Sequence, residues 1–160
     1  AIPMIPQLRE FGFVLAGPSF GFGVETAYVF MRMIVRGVFD RFPRLKIIMG
    51  HYGEALPFFV NRVDCAYRQG KGAPNPEFGP GSEKWASHYI LNNLWVTTSG
   101  NYFAPAYVCS RDALGVDRVL LGSDYPYEAM DSCTRFLDGL GLPEEELVRV
   151  YEANARALGF

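Results

Sequence analysis

The sequence predicts an α/β fold built on a parallel sheet, and three observations carry that prediction. Short, almost wholly apolar runs at Leu45–Met49, Leu94–Thr98 and Arg118–Gly122 alternate with helical segments, as strands do when a sheet is buried on both faces. Two of the runs deliver an ionisable side chain just past their C-terminal end, His51 after Gly50 and Asp124 after Ser123, where a parallel α/β barrel builds its active site. Only three strands are legible, whereas a closed barrel needs eight and typically about 250 residues. The sheet is therefore either small and open, or the C-terminal part of a (β/α)8 barrel.

The elements follow in order. Residues 1–23 mix Pro, Gly and aromatics without sustained periodicity and read as an extended N-terminal loop, with strand and helix units filling residues 24–160. From Val24 a helical pattern runs through Ala27, Phe30, Met31, Ile34, Val35 and Val38, and Gly37 and Pro43 stop it. After the first strand, a helix is expected from about Glu54 to Tyr67. Gln69 to Ser82, with four glycines and three prolines, reads as a long loop. A short helix near Glu83 to Ile90 precedes the second strand, where Trp95, Val96 and two threonines suit β structure. The next helix has Pro105 near its start and Gly115 past its end, the usual asymmetry of helix boundaries. Helices from about Tyr127 to Leu140 and from Pro143-Glu144-Glu145-Glu146 to Gly159 complete the chain, the acidic first turn favouring the helix dipole.

With 160 residues, 49% apolar, the chain reads as one globular unit able to bury an ordinary core. A net charge of −2 with dispersed Lys and Arg offers no basic stripe to a nucleic acid or an anionic membrane. No apolar run approaches the roughly 20 residues that cross a bilayer, and no signal peptide is evident, so a cytoplasmic location is expected. Cys65, Cys109 and Cys133 are odd in number, widely spaced and lack a CxxC pair, which predicts free thiols.

His51 lies between Gly50 and Gly53, which lets the backbone turn sharply at the strand end, and Glu54 is placed to orient its ring. An imidazole with an ordinary pKa near ~6.5 suits proton transfer. Asp124, before Tyr125-Pro126, reads as a metal ligand or proton donor, against helix N-cap or Asx-turn roles for the same residue. One carboxylate does not make a metal site, which usually takes three or more protein ligands. Arg62, eleven residues and about three helical turns after His51, projects from the same face of the following helix; it clamps a substrate carboxylate or pairs with Asp64 or another surface acid. His88 reads as a surface or packing residue. Phe20, Phe22, Tyr52, Tyr102 and Tyr125 lie in loops, where they line one pocket for a flat ligand or pack the core. Gly21-x-Gly23 lacks the preceding strand and third glycine of a dinucleotide site.

These motifs, in this order, resemble a known family over nearly the whole chain. Gly17-Pro18-Ser19-Phe20-Gly21-Phe22-Gly23-Val24-Glu25-Thr26, the run from Gly37 through Met49-Gly50-His51-Tyr52-Gly53-Glu54, Thr97-Thr98-Ser99-Gly100, Gly122-Ser123-Asp124-Tyr125-Pro126-Tyr127-Glu128 and Asn154-Ala155 are similar to the metal-dependent decarboxylases of the amidohydrolase superfamily. The resemblance is to those acting on 2,3-dihydroxybenzoate and γ-resorcylate. It implies a (β/α)8 barrel of which this chain supplies the last three strands. It implies that His51 assists substrate binding and proton movement, and that Asp124 both binds a divalent metal, Zn or Mn, and protonates the ring carbon. Glu54, Phe22 and Tyr125 are expected at the substrate. Arg62 is expected near its carboxylate, in this site or in a neighbouring subunit's, so a homo-oligomer is expected too. The family's other metal ligands, a first-strand Glu-x-His and a fifth-strand His, have no counterpart among these residues.

The implied reaction is non-oxidative decarboxylation of a hydroxylated aromatic acid. A metal-dependent hydrolase or lactonase of the same superfamily, activating water instead, is the first alternative. A non-catalytic half-barrel, associating through open strand edges, is the second.

Overall fold

The computed structural model describes residues 5–70 and 81–160. Its centre is a parallel three-stranded sheet in the order β1 (Ile47–Met49), β2 (Leu94–Thr97), β3 (Val119–Leu120). Ile47 pairs with Leu94, Met49 with Val96, Val96 with Val119 and Thr97 with Leu120. This register brings all three C-terminal strand ends to one side. β2 is central, and Leu94, Val96 and Val119 are fully buried, as strands covered on both faces require. Lys46 and Arg118 flank the Trp95 ring at 5.0 and 4.8 Å, so the charges bordering the strands cover an aromatic face.

The N-terminal region departs from the expected loop. Residues Pro6–Arg9 (α1) and Gly12–Ala16 (α2) form single helical turns, and α3 runs from Gly21 to Val35 rather than starting at Val24. Helices of four or five residues are too short for a 3.6-residue period to register. The glycines that suggested a loop serve close approach instead. A Cβ on Gly21 would strike the Ala16 backbone, and one on Gly23 would strike the Glu54 carboxylate. Gly12–Val35, with mean hydropathy 1.2, is one stretch among the described residues long and apolar enough to cross a membrane, which corrects the expectation that no such run exists. The stretch is not one unbroken helix: Gly17 to Phe20 separate α2 from α3, and Phe30 and Ile34 of α3 pack into the core with Phe39 and Tyr89.

Beyond β1 the expected helix from Glu54 to Tyr67 is broken. His51, Tyr52, Gly53, Glu54 and Ala55 all have positive φ, between 51° and 74°, and form a left-handed turn. Right-handed helix resumes as α4 (Leu56–Phe59), followed by a 3-10 turn (Arg62–Asp64) and α5 (Cys65–Arg68). Each non-glycine residue at positive φ costs roughly 1–2 kcal/mol. Ala55, at φ 64° and ψ 1°, is exposed. Ala55→Gly is therefore expected to raise the melting temperature by about 1–4 °C, the relief of strain exceeding the added chain entropy. Differential scanning calorimetry checks this.

Besides a short helical turn at Val38–Arg41, later helices cover the sheet: α6 (Ala86–Asn93), α7 (Ala104–Leu114), α8 (Met130–Gly139), α9 (Glu144–Val148) and α10 (Asn154–Leu158), the last two joined by a π turn at Arg149–Ala153. Pro105 and Gly115 bound α7 as expected, and Gly159 caps α10 at φ 98°. α6 and α8 each begin three residues later than the sequence pattern indicates. The long loop expected over Gln69–Ser82 falls mostly at residues 71–80, outside the described residues. All three cysteines are free, Cys133 buried and the other two partly so.

Candidate active site at the strand ends

β1 ends at Met49, and the left-handed turn immediately reverses the chain so that the His51 ring lies over the top of the sheet. Glu54, three residues on, places Oε1 2.7 Å from His51 Nδ1. In a right-handed helix the same spacing would point both side chains along one helix face; here the left-handed turn folds them onto each other. Asp124, leaving β3 at φ 63°, brings Oδ2 to 3.7 Å from His51 Nε2. The imidazole thus bridges two carboxylates delivered by β1's turn and by the loop after β3.

The middle strand holds this pair in register. Ser99 Oγ accepts the His51 backbone N–H at 3.2 Å and shares a hydrogen bond with Thr97 Oγ1 at 2.8 Å. Thr98, fully buried, donates to the Gly122 carbonyl at 3.0 Å and accepts the Gly122 N–H at 3.1 Å, tying the approach to Asp124 to β2. Gly100 sits directly beneath the site: a Cβ there would come within 3.0 Å of both Asp124 Oδ2 and His51 Cδ2. The Asp124 carbonyl accepts the N–H groups of Tyr127 and Glu128, and the intervening Tyr125-Pro126 bond is cis. The roles of Thr97, Ser99 and Gly100 are not apparent from composition or spacing; the Thr-Thr-Ser-Gly run at a strand end is the one signal that marks them.

The Glu54 hydrogen bond raises the His51 pKa above its ordinary 6.5, partial burial opposes it, and the charges of Glu54 and Asp124 add to the rise. A raised folded-state value means that the protonated ring stabilises the fold fully below about pH 6.5, and that this contribution is lost as pH climbs through the raised pKa. Glu54→Gln removes the leading cause. The His51 pKa is then expected to fall toward or below its ordinary value, read by NMR titration of the ring protons.

The other expected site residues distribute unevenly. Glu54 is engaged by His51. Phe22 packs edge-on against Phe13 in the first turn of α3, next to the Glu54 carboxylate that lies over Gly23. Tyr125 is 69% exposed beside Asp124. Arg62 does not share a helix face with His51, because the helix on which that reading depends is interrupted. It is exposed, with Nη1 3.9 Å from Cys65 Sγ, and the expected pair with Asp64 does not form, since Asp64 is buried and accepts the Ser87 N–H. The five loop aromatics do not line one pocket: Tyr52 is buried against Tyr107, Tyr102 packs on Phe136, and Phe20 is exposed. His88 lies at the surface with Lys84 and Asn92.

Among the described residues no group of three or more His, Cys, Asp or Glu side chains is placed to hold a metal ion. Asp124 is a fitting single ligand, with one partly exposed carboxylate at a strand tip, but the donor set here does not complete a coordination shell.

The C-terminal ends of parallel strands are where α/β-barrel enzymes place their active sites, and comparison with known proteins gives the family. The family model "Amidohydrolase" matches residues 8–158, and the chain belongs to that family. The γ-resorcylate decarboxylase of a Rhizobium species is 33% identical over 144 residues, which are 90% of this chain and 43% of that protein. Among solved structures, 5-carboxyvanillate decarboxylase LigW from Sphingomonas paucimobilis superposes with a TM-score of 0.85 at 34% identity, covering 97% of this chain and 45% of that one. The 5-carboxyvanillate decarboxylase of Novosphingobium aromaticivorans, solved with manganese and 4-hydroxy-3-methoxy-5-nitrobenzoic acid, also superposes at 0.85, with 34% identity over 96% of this chain and 43% of that one. The chain spans less than half the length of the relatives it matches. Its three parallel strands and flanking helices are the C-terminal part of an amidohydrolase-type barrel.

Proposed function

We infer that these residues form the C-terminal side of the active site of a metal-dependent decarboxylase acting on a hydroxylated aromatic carboxylic acid. The observation that carries the reading is the convergence of Asp124 and Glu54 on the two nitrogens of His51, at 3.7 and 2.7 Å, in a fold shared with aromatic-acid decarboxylases. Asp124 is the acid that protonates the ring carbon bearing the carboxylate. His51, fixed by Glu54 at Nδ1, keeps Nε2 beside Asp124 to return that proton and to offset negative charge as it develops. The carbon–carbon bond then breaks and carbon dioxide leaves. Asp124, together with ligands outside these residues, would hold a divalent cation, Zn or Mn, which would supply Lewis-acid stabilisation of negative charge on the substrate. Phe22 and Tyr125 wall the ring. Arg62, exposed, meets the substrate carboxylate of a neighbouring subunit in a homo-oligomer. A cytoplasmic location accords with such chemistry.

The test is carbon dioxide release from 2,6- and 2,3-dihydroxybenzoate, assayed with Mn2+ and after chelation. Turnover of lactones or esters without any carbon dioxide would replace the reading with a hydrolase. The same substrates left intact under all conditions would favour a non-catalytic half-barrel.

A further inference from the structure

His51 and Asp124 enter the site at φ 51° and 63°, a backbone region that residues bearing a Cβ adopt only under constraint. In each case φ turns the residue against the peptide before it, so whatever fixes that peptide plane steers the side chain. The loop after β2 reaches both peptides. Ser99 Oγ accepts the His51 N–H at 3.2 Å, and the carbonyl of the same peptide, that of Gly50, accepts the Gly53 N–H at 2.7 Å. The Tyr102 hydroxyl donates to the Ser123 carbonyl at 3.3 Å, on the peptide that precedes Asp124. Both hydroxyls are themselves anchored. Ser99, 8% exposed, is bonded to Thr97 Oγ1 at 2.8 Å. A Cβ on Gly50 would stand 3.2 Å from Ser99 Oγ, and one on Gly122 would stand 3.0 Å from Thr97 Oγ1, so a glycine at each flanking strand exit makes room for this pair. The Tyr102 ring packs on Phe136 of α8, with centroids 5.9 Å apart. Residues 97–103 include no Asp, Glu, His, Lys, Arg or Cys, so what the loop supplies is geometry rather than charge.

We propose that Ser99 and Tyr102 are positioning residues for the reaction, Ser99 acting through the peptide before His51 and Tyr102 through the peptide before Asp124. The inference rests on the decarboxylase reading for its kinetic consequence. Each hydroxyl narrows the range of one φ, and together they keep Asp124 Oδ2 and His51 Nε2 at the 3.7 Å separation across which the proton is returned. Losing either lowers the fraction of molecules in the reacting arrangement. The groups that touch the substrate stay in place, so the loss falls on kcat rather than on KM.

The experiment compares Ser99→Ala and Tyr102→Phe with the parent, using 2,6-dihydroxybenzoate at saturating Mn2+. Each variant should lower kcat about 3- to 10-fold, the weight of one hydrogen bond, with KM for the acid within about twofold of the parent. Melting temperatures should stay within a few degrees, since Tyr102→Phe keeps the ring against Phe136 and Ser99→Ala removes one oxygen. Two NMR signatures separate positioning from packing. In Ser99→Ala the His51 amide should exchange with solvent about 10-fold faster relative to the Val96 amide of β2. In Tyr102→Phe the Ser123 carbonyl carbon should move upfield, as it does when a hydrogen bond to it is lost. An unchanged kcat in either variant, a loss carried by KM, or the absence of either signature would overturn the proposal. A parent that releases no carbon dioxide would remove the decarboxylase reading, and the two signatures would still decide whether the hydroxyls hold the peptides. Carbon dioxide release by the parent with both signatures absent would keep that reading and remove the proposal.

Discussion

Asp124→Asn is expected to lower carbon dioxide release by about 10²- to 10⁴-fold, the range associated with loss of a positioned acid–base group. The substitution isolates chemistry from folding for a geometric reason. Asp124 lies at φ 63°, in the left-handed region, which Asn tolerates at least as well as Asp. The backbone carbonyl that accepts the Tyr127 and Glu128 N–H groups is untouched. What changes is the ionisable carboxyl group beside His51 Nε2, the same group proposed to hold the metal. The melting temperature should stay within a few degrees of the parent. Activity retained within tenfold would mean that Asp124 is not the acid. Asp124→Ala is the less informative variant, because it adds left-handed strain to the loss of the carboxylate.

Gly53→Ala is expected to destabilise the fold by about 3 kcal/mol, combining left-handed strain with overpacking. Gly53 has φ 74°, and a Cβ there would stand 2.8 Å from Val96 Cγ1 and 3.3 Å from Pro57 Cδ. Val96 is fully buried in the central strand and cannot withdraw. For a chain of this length the melting temperature should drop by roughly 6–12 °C. The cost arises where the chain reverses beneath His51, so the variant should also disturb the His51–Glu54 contact. Calorimetry together with the His51 ring chemical shifts reads both effects, and an unchanged melting temperature would contradict the packing described for the turn.

These two positions show how differently parts of the site are written into the chain. Asp124 is legible because an apolar run ends just before it and a proline follows closely. The three strands, the bounds of α7 and the placement of His51 are legible on the same grounds, since alternation and apolar continuity are local properties. Gly53 is visible only as a residue able to turn. Nothing local discloses that its neighbours His51, Tyr52, Glu54 and Ala55 adopt positive φ as well, so periodicity extends a helix across a segment that is left-handed. That extension places Arg62 on a face it does not share. The glycines at positions 21 and 23 mislead in the opposite sense: they read as a loop, whereas they admit the Ala16 backbone and the Glu54 carboxylate into the start of α3.

Local sequence alone determined the apolar strands, their alternation with helices and the two strand-end residues, because those follow from side-chain polarity over a few neighbouring positions. Tertiary structure decided that Glu54 and Asp124 meet the same imidazole, and that Ser99, bonded to Thr97, accepts the His51 backbone N–H. The physical reason is distance along the chain. Contacts between residues 51, 99 and 124 depend on parallel pairing and on five consecutive residues at positive φ, and both are set by packing against a common core rather than by the preferences of the residues themselves.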